Sequence, residues 1–158
     1  MRRIALIDGP LPPDHPALDA ARDLTGAARP DTPAARHAKA TAAAILAGAP
    51  EARLVNPVVF PDRLATRLDT VLAALDAAAE SGAEIIHCSL GLGRPDARLE
   101  AAVGRLIAAG RLVVASAAAR GGPVWPAALP GVVSVQGDAR CAPGQWSALH
   151  LPTADWGA

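Results

Sequence analysis

Short, unbroken apolar runs alternate along this chain with stretches whose apolar residues recur at steps of three and four, and few architectures accommodate that alternation. Ile4 to Ile7, Arg53 to Phe60, Glu84 to Cys88, Leu112 to Ala117 and Val132 to Val135 predict five strands, the second interrupted at Pro57. Between them, residues 34–47 predict a helix, mostly alanine with Ile45 and Leu46, ended by Gly48 and Pro50. Residues 62–81 carry Leu64, Leu68, Val71, Leu72, Leu75 and Ala79, and residues 97–109 carry Leu99, Val103, Leu106 and Ile107, each set forming one helical stripe. Pro10, Pro12, Pro13 and Pro16 mark a loop after the first strand. Strands alternating with helices imply βαβ units, and strands apolar throughout imply a parallel sheet covered on both faces. Sites in such sheets lie beyond the carboxyl ends of the strands, where Asp8, Ser89 and residues 115–122 fall, so three separate stretches converge on one crevice.

Composition narrows the function classes. A chain of 158 residues, 51% hydrophobic, has enough apolar surface for one domain spanning residues 1–158. Fifteen basic residues balance fifteen acidic ones without a charge block, which favours neither nucleic acid nor a membrane surface as partner. No apolar run is long enough for a secretory signal or a transmembrane span, so a soluble, cytoplasmic protein is expected. Cys88 and Cys141 have no metal-knuckle spacing, and a disulfide between them stays open. His15, His37, His87 and His150 also lack metal spacing, and Gly91-Leu92-Gly93 lacks the third glycine of a dinucleotide loop. Neither a metal nor another cofactor is expected. Trp125, Trp146 and Trp156 read as core or loop packing, and His87 as a hydrogen-bonded core histidine.

Asp8 follows a buried strand, where a carboxylate is costly unless paired or hydrogen-bonded. His37, 29 positions later and near the start of a helix, is a suitable partner. An aspartate that orients a histidine, which then serves as base toward a hydroxyl, is the logic of nucleophilic acyl transfer. Taken one at a time, the two residues also fit a turn aspartate and a solvated helix-end histidine.

The motifs around them are more specific. Ile4 to Pro10 followed by Asp14-His15-Pro16-Ala17-Leu18 resembles the aspartate motif of the subtilisin-like serine proteases, and Arg36 to Ile45 resembles the histidine motif, although H-G-T reads His37-Ala38-Lys39. Ala49-Pro50-Glu51-Ala52-Arg53-Leu54, Ile85 to Gly91, Leu112 to Ala117, Trp125-Pro126-Ala127 and Leu129 to Val135 are similar to further segments of that family, in the family's order. The resemblance covers nearly the whole chain. It implies an α/β, three-layer fold with a mostly parallel central sheet flanked by helices, incomplete at its carboxyl end.

The same resemblance implies a serine endopeptidase acting on a peptide or protein, with Asp8 and His37 as catalytic residues. Ser89, Leu90 and Gly91 would pair with substrate backbone, and Ala115, Ser116 and Ala117 would line the pocket for the side chain before the scissile bond. Two departures accompany it. Ala119 stands where the family has the oxyanion asparagine, and the serine motif would follow Ala158, where the sequence stops. Among family members the chain resembles the small maturation protease associated with quinohemoprotein amine dehydrogenase, which trims a leader peptide, and this makes a leader peptide the expected partner. The departures favour the alternative of a pseudoprotease that binds an extended peptide without cutting it.

Overall fold

The computed structural model describes residues 2–158. The chain runs β1 (Arg3–Ile7), β2 (Leu18–Asp23), α1 (Pro33–Gly48), β3 (Arg53–Val58), α2 (Leu68–Glu80), β4 (Ile85–Cys88), α3 (Ala97–Ala108), β5 (Leu112–Ser116), β6 (Val133–Gln136), β7 (Ser147–Leu151) and β8 (Ala154–Gly157). Among the described residues eight strands form one sheet in the order β2-β3-β1-β4-β5-β6-β8-β7. Every pairing is parallel except that of β7 with β8. This is the mostly parallel α/β sheet that the alternating pattern predicts.

Successive residues of a strand point to opposite faces, so an unbroken apolar run feeds two cores. Ala5, Ile7, Val55, Ile86, Cys88, Val113 and Ala115 join α2 (Val71, Ala74, Leu75, Ala78) and α3 (Leu99, Ala102, Val103, Leu106) in the larger core. Ile4, Leu6 and Leu54 face the other way, against Ala38 and Ala42 of α1. Full burial of each such Leu, Ile or Val contributes about 1.5–3 kcal/mol. Alanine on the inner stripe of α1 lets that helix lie close to the sheet, with the Ala34, Ala38 and Ala42 side chains fully buried.

Three strands escape the pattern. Five of the six residues of β2 are exposed, so it carries no apolar signal. It forms because an edge strand needs its backbone ladder rather than a buried face, and Arg53 ties it down by donating to Asp19 (2.7 Å) and to the carbonyls of Pro16 (2.7 Å) and Leu18 (3.3 Å). The short strands β7 and β8 lie among glycines and prolines. There the Asp155 carboxylate accepts from the Ser134 hydroxyl (2.8 Å) and N–H (3.1 Å), joining β8 to β6. Those two donors hold Asp155 below its ordinary pKa.

Pro57 does not interrupt β3: it aligns with Arg22, and the strand runs on to Val58. A proline removes one ladder donor without ending the strand. The second helix starts at Leu68 rather than 62, and Leu64 is exposed, outside the buried stripe. Trp146 is not core, being 69% exposed with its ring set edge-on to Trp156 at 5.0 Å. Both cysteines are free.

Candidate active site

The carboxyl ends of β1, β4 and β5 are neighbours in the sheet, which brings Asp8, Ser89 and Ser116 to one side of the molecule. Asp8, the residue after β1, is fully buried. Its Oδ1 accepts from the N–H of Gly9 (2.6 Å). His37 Nδ1 lies 2.8 Å from Oδ1 and 2.9 Å from Oδ2, so a ring N–H placed there donates to the carboxylate. The His37 side chain is 37% exposed, and no serine hydroxyl hydrogen-bonds to it among the described residues. With Nδ1 committed to Asp8, Nε2 is the nitrogen left for a reacting proton.

Local sequence explains the placement of His37. Thr32 caps α1 by accepting the N–H of Ala35 (3.1 Å), and Pro33, with no N–H to satisfy, fills the first turn. His37 then falls in the second turn, next to the buried Ala34–Ala38–Ala42 stripe. The helix start sits directly on Gly9, where a Cβ would lie 2.3 Å from the Ala34 carbonyl oxygen. Glycine is required there by contact with α1.

Asn56 of β3 completes the frame. It is buried, its Oδ1 accepts from Leu11 N–H (2.9 Å), and its Nδ2 donates to the carbonyls of Leu6 (2.9 Å) and Gly9 (3.2 Å). This clamp holds the backbone on both sides of Asp8. Neither Gly9 nor Asn56 was among the sequence-predicted site residues. The available signals are a glycine directly after the strand-end aspartate and a lone amide inside the apolar run Leu54–Val59.

His87 lies beside the pair. It pairs in register with Leu6, so its side chain shares the α1 face of the sheet with Asp8, two residues on from Leu6. The expected hydrogen-bonded core histidine is not what forms, because its Nδ1 is buried without a partner. Burial pushes the imidazole below its ordinary pKa of 6.5; Asp8 opposes that shift and His37 adds to it.

The remaining predicted residues divide by exposure. Leu90 and Ala115 are buried in the larger core, so only their backbones are available to a ligand. Ser89 is half-buried, and its N–H donates to Ile7 O (3.3 Å). Gly91 is exposed, with Val124 3.0 Å from where its Cβ would be. Beyond it, Leu92 and Trp125 exchange two backbone hydrogen bonds of 2.7 and 2.9 Å. Among the described residues the N–H groups of Leu90 and Gly91 have no backbone partner. Ser116 is exposed, the Ala117 N–H is taken by Val135 O (2.7 Å), and Ala119 is exposed with no side-chain donor. Among the described residues no three His, Cys, Asp or Glu side chains group to hold a metal, and no helix is long and apolar enough to cross a membrane.

No protein-family profile matches the sequence, and no curated protein sequence matches it. Solved structures do match. A mutant of the protease domain of PatA aligns at a TM-score of 0.69 and 28% identity, over 99% of this chain and 62% of that one. A lanthipeptide protease aligns at 0.74 and 23%, over 87% of this chain and 48% of that one. The prenylagaramide maturation protease PagA aligns at 0.64 and 23%, over 99% and 59%. The chain thus spans less than two thirds of the length of each of these proteins.

Proposed function

We propose that this chain, whose fold is that of the subtilisin-like proteases, is the aspartate- and histidine-bearing part of a serine endopeptidase that matures peptides. The observation that carries the reading is the Asp8–His37 pair, 2.8 and 2.9 Å apart, with the ring turned outward beyond the end of β1. The names of the matched structures support a peptide substrate: a lanthipeptide protease, a prenylagaramide maturation protease and the PatG macrocyclase in complex with peptide. A leader peptide is the finer reading, carried by the family resemblance.

In this mechanism the nucleophilic serine comes from a segment outside residues 1–158. His37 Nε2 takes the proton of its hydroxyl as the oxygen attacks the scissile carbonyl, then returns it to the leaving amine. Asp8 fixes the ring tautomer and faces the imidazolium that forms. The unpaired backbone of residues 90–91 receives the substrate as an added strand. Ser116 and Ala117 lie at the next strand end, beside the residue preceding the cleaved bond. Ala119 supplies no side-chain hydrogen bond to the oxyanion, so stabilisation there falls to backbone N–H groups.

One set of observations favours a second reading, a pseudoprotease that binds an extended peptide. Ala119 cannot donate, and no serine of this chain hydrogen-bonds to His37 among the described residues. A fluorophosphonate probe separates the two. In a form carrying a serine segment, the wild type is labelled and His37→Ala is not. Equal labelling of both, or of neither, removes the acyl-transfer reading and leaves the binding module.

A further inference from the structure

The arginines of this chain divide by place. Of the fourteen, nine are engaged among the described residues: seven in ion pairs, and Arg36 and Arg111 on the carbonyls of Asp31 and Gly82. Arg29, Arg63, Arg67, Arg94 and Arg120 are exposed and have neither an ion pair nor a side-chain hydrogen bond among the described residues. They fall in residues 24–32, 59–67, 89–96 and 117–132, the segments that follow β2, β3, β4 and β5. Those strands run parallel, so all five stand on the carboxyl edge of the sheet, the edge of Asp8 and His37. The same segments hold three acids, each engaged: Asp31 with Lys39 (3.9 Å), Asp62 with the Arg63 N–H (2.6 Å) and Asp96 with the Arg98 N–H (2.8 Å). Five arginines against three aspartates leave an excess of two positive charges there, in a chain whose net charge is zero. Solvated arginines are ordinary on a surface, but here the unengaged ones are confined to one edge.

Two of the five bracket the crevice. Arg63 and Arg94 stand on the loops after β3 and β4, on either side of β1. Two strand spacings of about 4.8 Å put the bases of those loops about 10 Å apart. The Arg94 loop also carries the Leu90 and Gly91 N–H groups that lack a backbone partner. The Arg63 loop is stitched to its neighbours: Asp62 O accepts the Ala34 N–H (2.9 Å) one turn before His37, and Pro61 O accepts the Arg29 N–H (3.1 Å). Arg29 and Arg63 therefore share the lip beside His37. Guanidinium groups spread over four loops do not suit a compact anion such as phosphate, which meets one or two of them. An extended peptide, whose side chains repeat on one face about every 7 Å, reaches several. Each guanidinium takes a carboxylate through two parallel N–H donors. Single-stranded nucleic acid fits less well, because bases need aromatic platforms and here Phe60 is buried and Trp125 half-buried.

We propose that the crevice selects acidic peptides, with Arg63 and Arg94 on its two lips taking carboxylates of the bound segment and Arg29, Arg67 and Arg120 widening the cationic rim. This rests on the reading of residues 90–91 as the receiver of a peptide strand and adds the charge of that peptide. The backbone of the segment is held by the strand slot, and its acidic side chains decide which segment stays. Exposed ion pairs are individually weak, so selectivity is shared among the arginines and is sensitive to salt.

The test is fluorescence anisotropy of the full chain with three labelled peptides that alternate alanine with glutamate, glutamine or lysine, and with a single-stranded oligothymidylate. At about 10 mM salt, where the screening length is about 30 Å, the glutamate peptide should bind about tenfold more tightly than the glutamine peptide, and the lysine peptide most weakly. At about 1 M salt, where that length is about 3 Å, the glutamate advantage should vanish. Arg63→Gln and Arg94→Gln should each weaken the glutamate peptide by about two- to fivefold and leave the glutamine peptide unchanged. Arg111→Gln, on the opposite edge, is the control and should change neither. Equal affinity for the glutamate and glutamine peptides overturns the proposal, as does binding of none of the peptides, tighter binding of the oligothymidylate, an advantage that survives 1 M salt, or an equal loss in Arg111→Gln. If the glutamate peptide is preferred but a form carrying a serine segment resists the fluorophosphonate, acidic selectivity stands and the protease reading fails. If labelling depends on His37 while glutamate brings no advantage, the protease reading stands and this proposal fails.

Discussion

Gly9→Ala tests whether contact between α1 and the end of β1 sets the Asp8–His37 geometry. A Cβ at position 9 would sit 2.3 Å from Ala34 O, 2.5 Å from Ala34 C and 2.9 Å from Ala34 Cβ. Two of the three atoms are backbone in the first turn of a helix, so no side chain can rotate away. Lengthening the shortest contact from 2.3 to the 3.0 Å below which real Cβ contacts essentially never fall requires a retreat of at least 0.7 Å. Carried along α1, that movement takes the His37–Asp8 distances from 2.8 and 2.9 Å to about 3.5 Å, the outer limit of a hydrogen bond. Overpacking of this kind costs about 1–3 kcal/mol. At a urea slope of about 2 kcal/mol/M, the midpoint falls by about 1 M. The assay pairs urea denaturation with the proton NMR signal of the His37 Nδ1–H, which should be seen in wild type and lost in the variant. Gly93→Ala, with nothing within 4 Å of its Cβ, is the control and should stay within about 0.5 kcal/mol of wild type. A Gly9→Ala protein with an unchanged midpoint and an intact His37 signal would refute the argument that this contact places the histidine.

Further outcomes follow from other residues. Asn56→Ala strips partners from the Leu11 N–H and from the Leu6 and Gly9 carbonyls, and should destabilise by about 2–4 kcal/mol in the same denaturation assay; a change below about 1 kcal/mol would mean that water replaces the amide. His87 has a folded-state pKa depressed below 6.5, so the unfolded chain binds its proton first as pH falls. Stability from this group is therefore complete above 6.5 and declines below it until the lowered folded value is passed. Melting temperatures should show that slope in wild type and not in His87→Gln, and identical slopes in the two would remove His87 as its source. Burial pushes the Cys88 thiol up to about 12, whereas Cys141 is half-buried. A thiol reagent should titrate Cys141 in the native protein and both cysteines after unfolding; rapid native labelling of Cys88 would contradict its burial.

The parts of this structure legible in the sequence are those where one residue type had one physical reason to be present. Leu6, Ile7, Ile86 and Val113 announce central strands because both faces of a covered sheet are mostly apolar, with Asn56 and His87 as exceptions. The steps of three and four in Leu99, Val103 and Leu106 announce α3 for the same reason. Asp8 and His37 are legible together because a carboxylate at a buried strand end needs a partner and because the motifs around both resemble those of the subtilisin-like proteases. What stayed hidden depends on distance between chain segments. β2 is held by Arg53 and by backbone, so Leu18–Asp23 has no periodicity to read. Gly9 looks like any turn glycine until Ala34 is known to lie against it. Asn56 is one amide whose three partners, Leu6, Gly9 and Leu11, lie 45 to 50 positions away. The isolation of His87 Nδ1 depends on which groups the fold packs around it, and a one-dimensional pattern carries no trace of that.

The alanine stripe of α1 bears on how this protein can change. Where Leu75, Leu99 and Leu106 interlock with the sheet, a neighbouring rotamer can shift to absorb an altered side chain. Ala34, Ala38 and Ala42 have no χ angles to give. Any larger residue there lifts the whole helix, and His37 with it, away from Asp8. Drift in sequence is thus cushioned on one side of the sheet and transmitted undamped to the Asp8–His37 pair on the other, so the plainest residues in the chain are among the least replaceable.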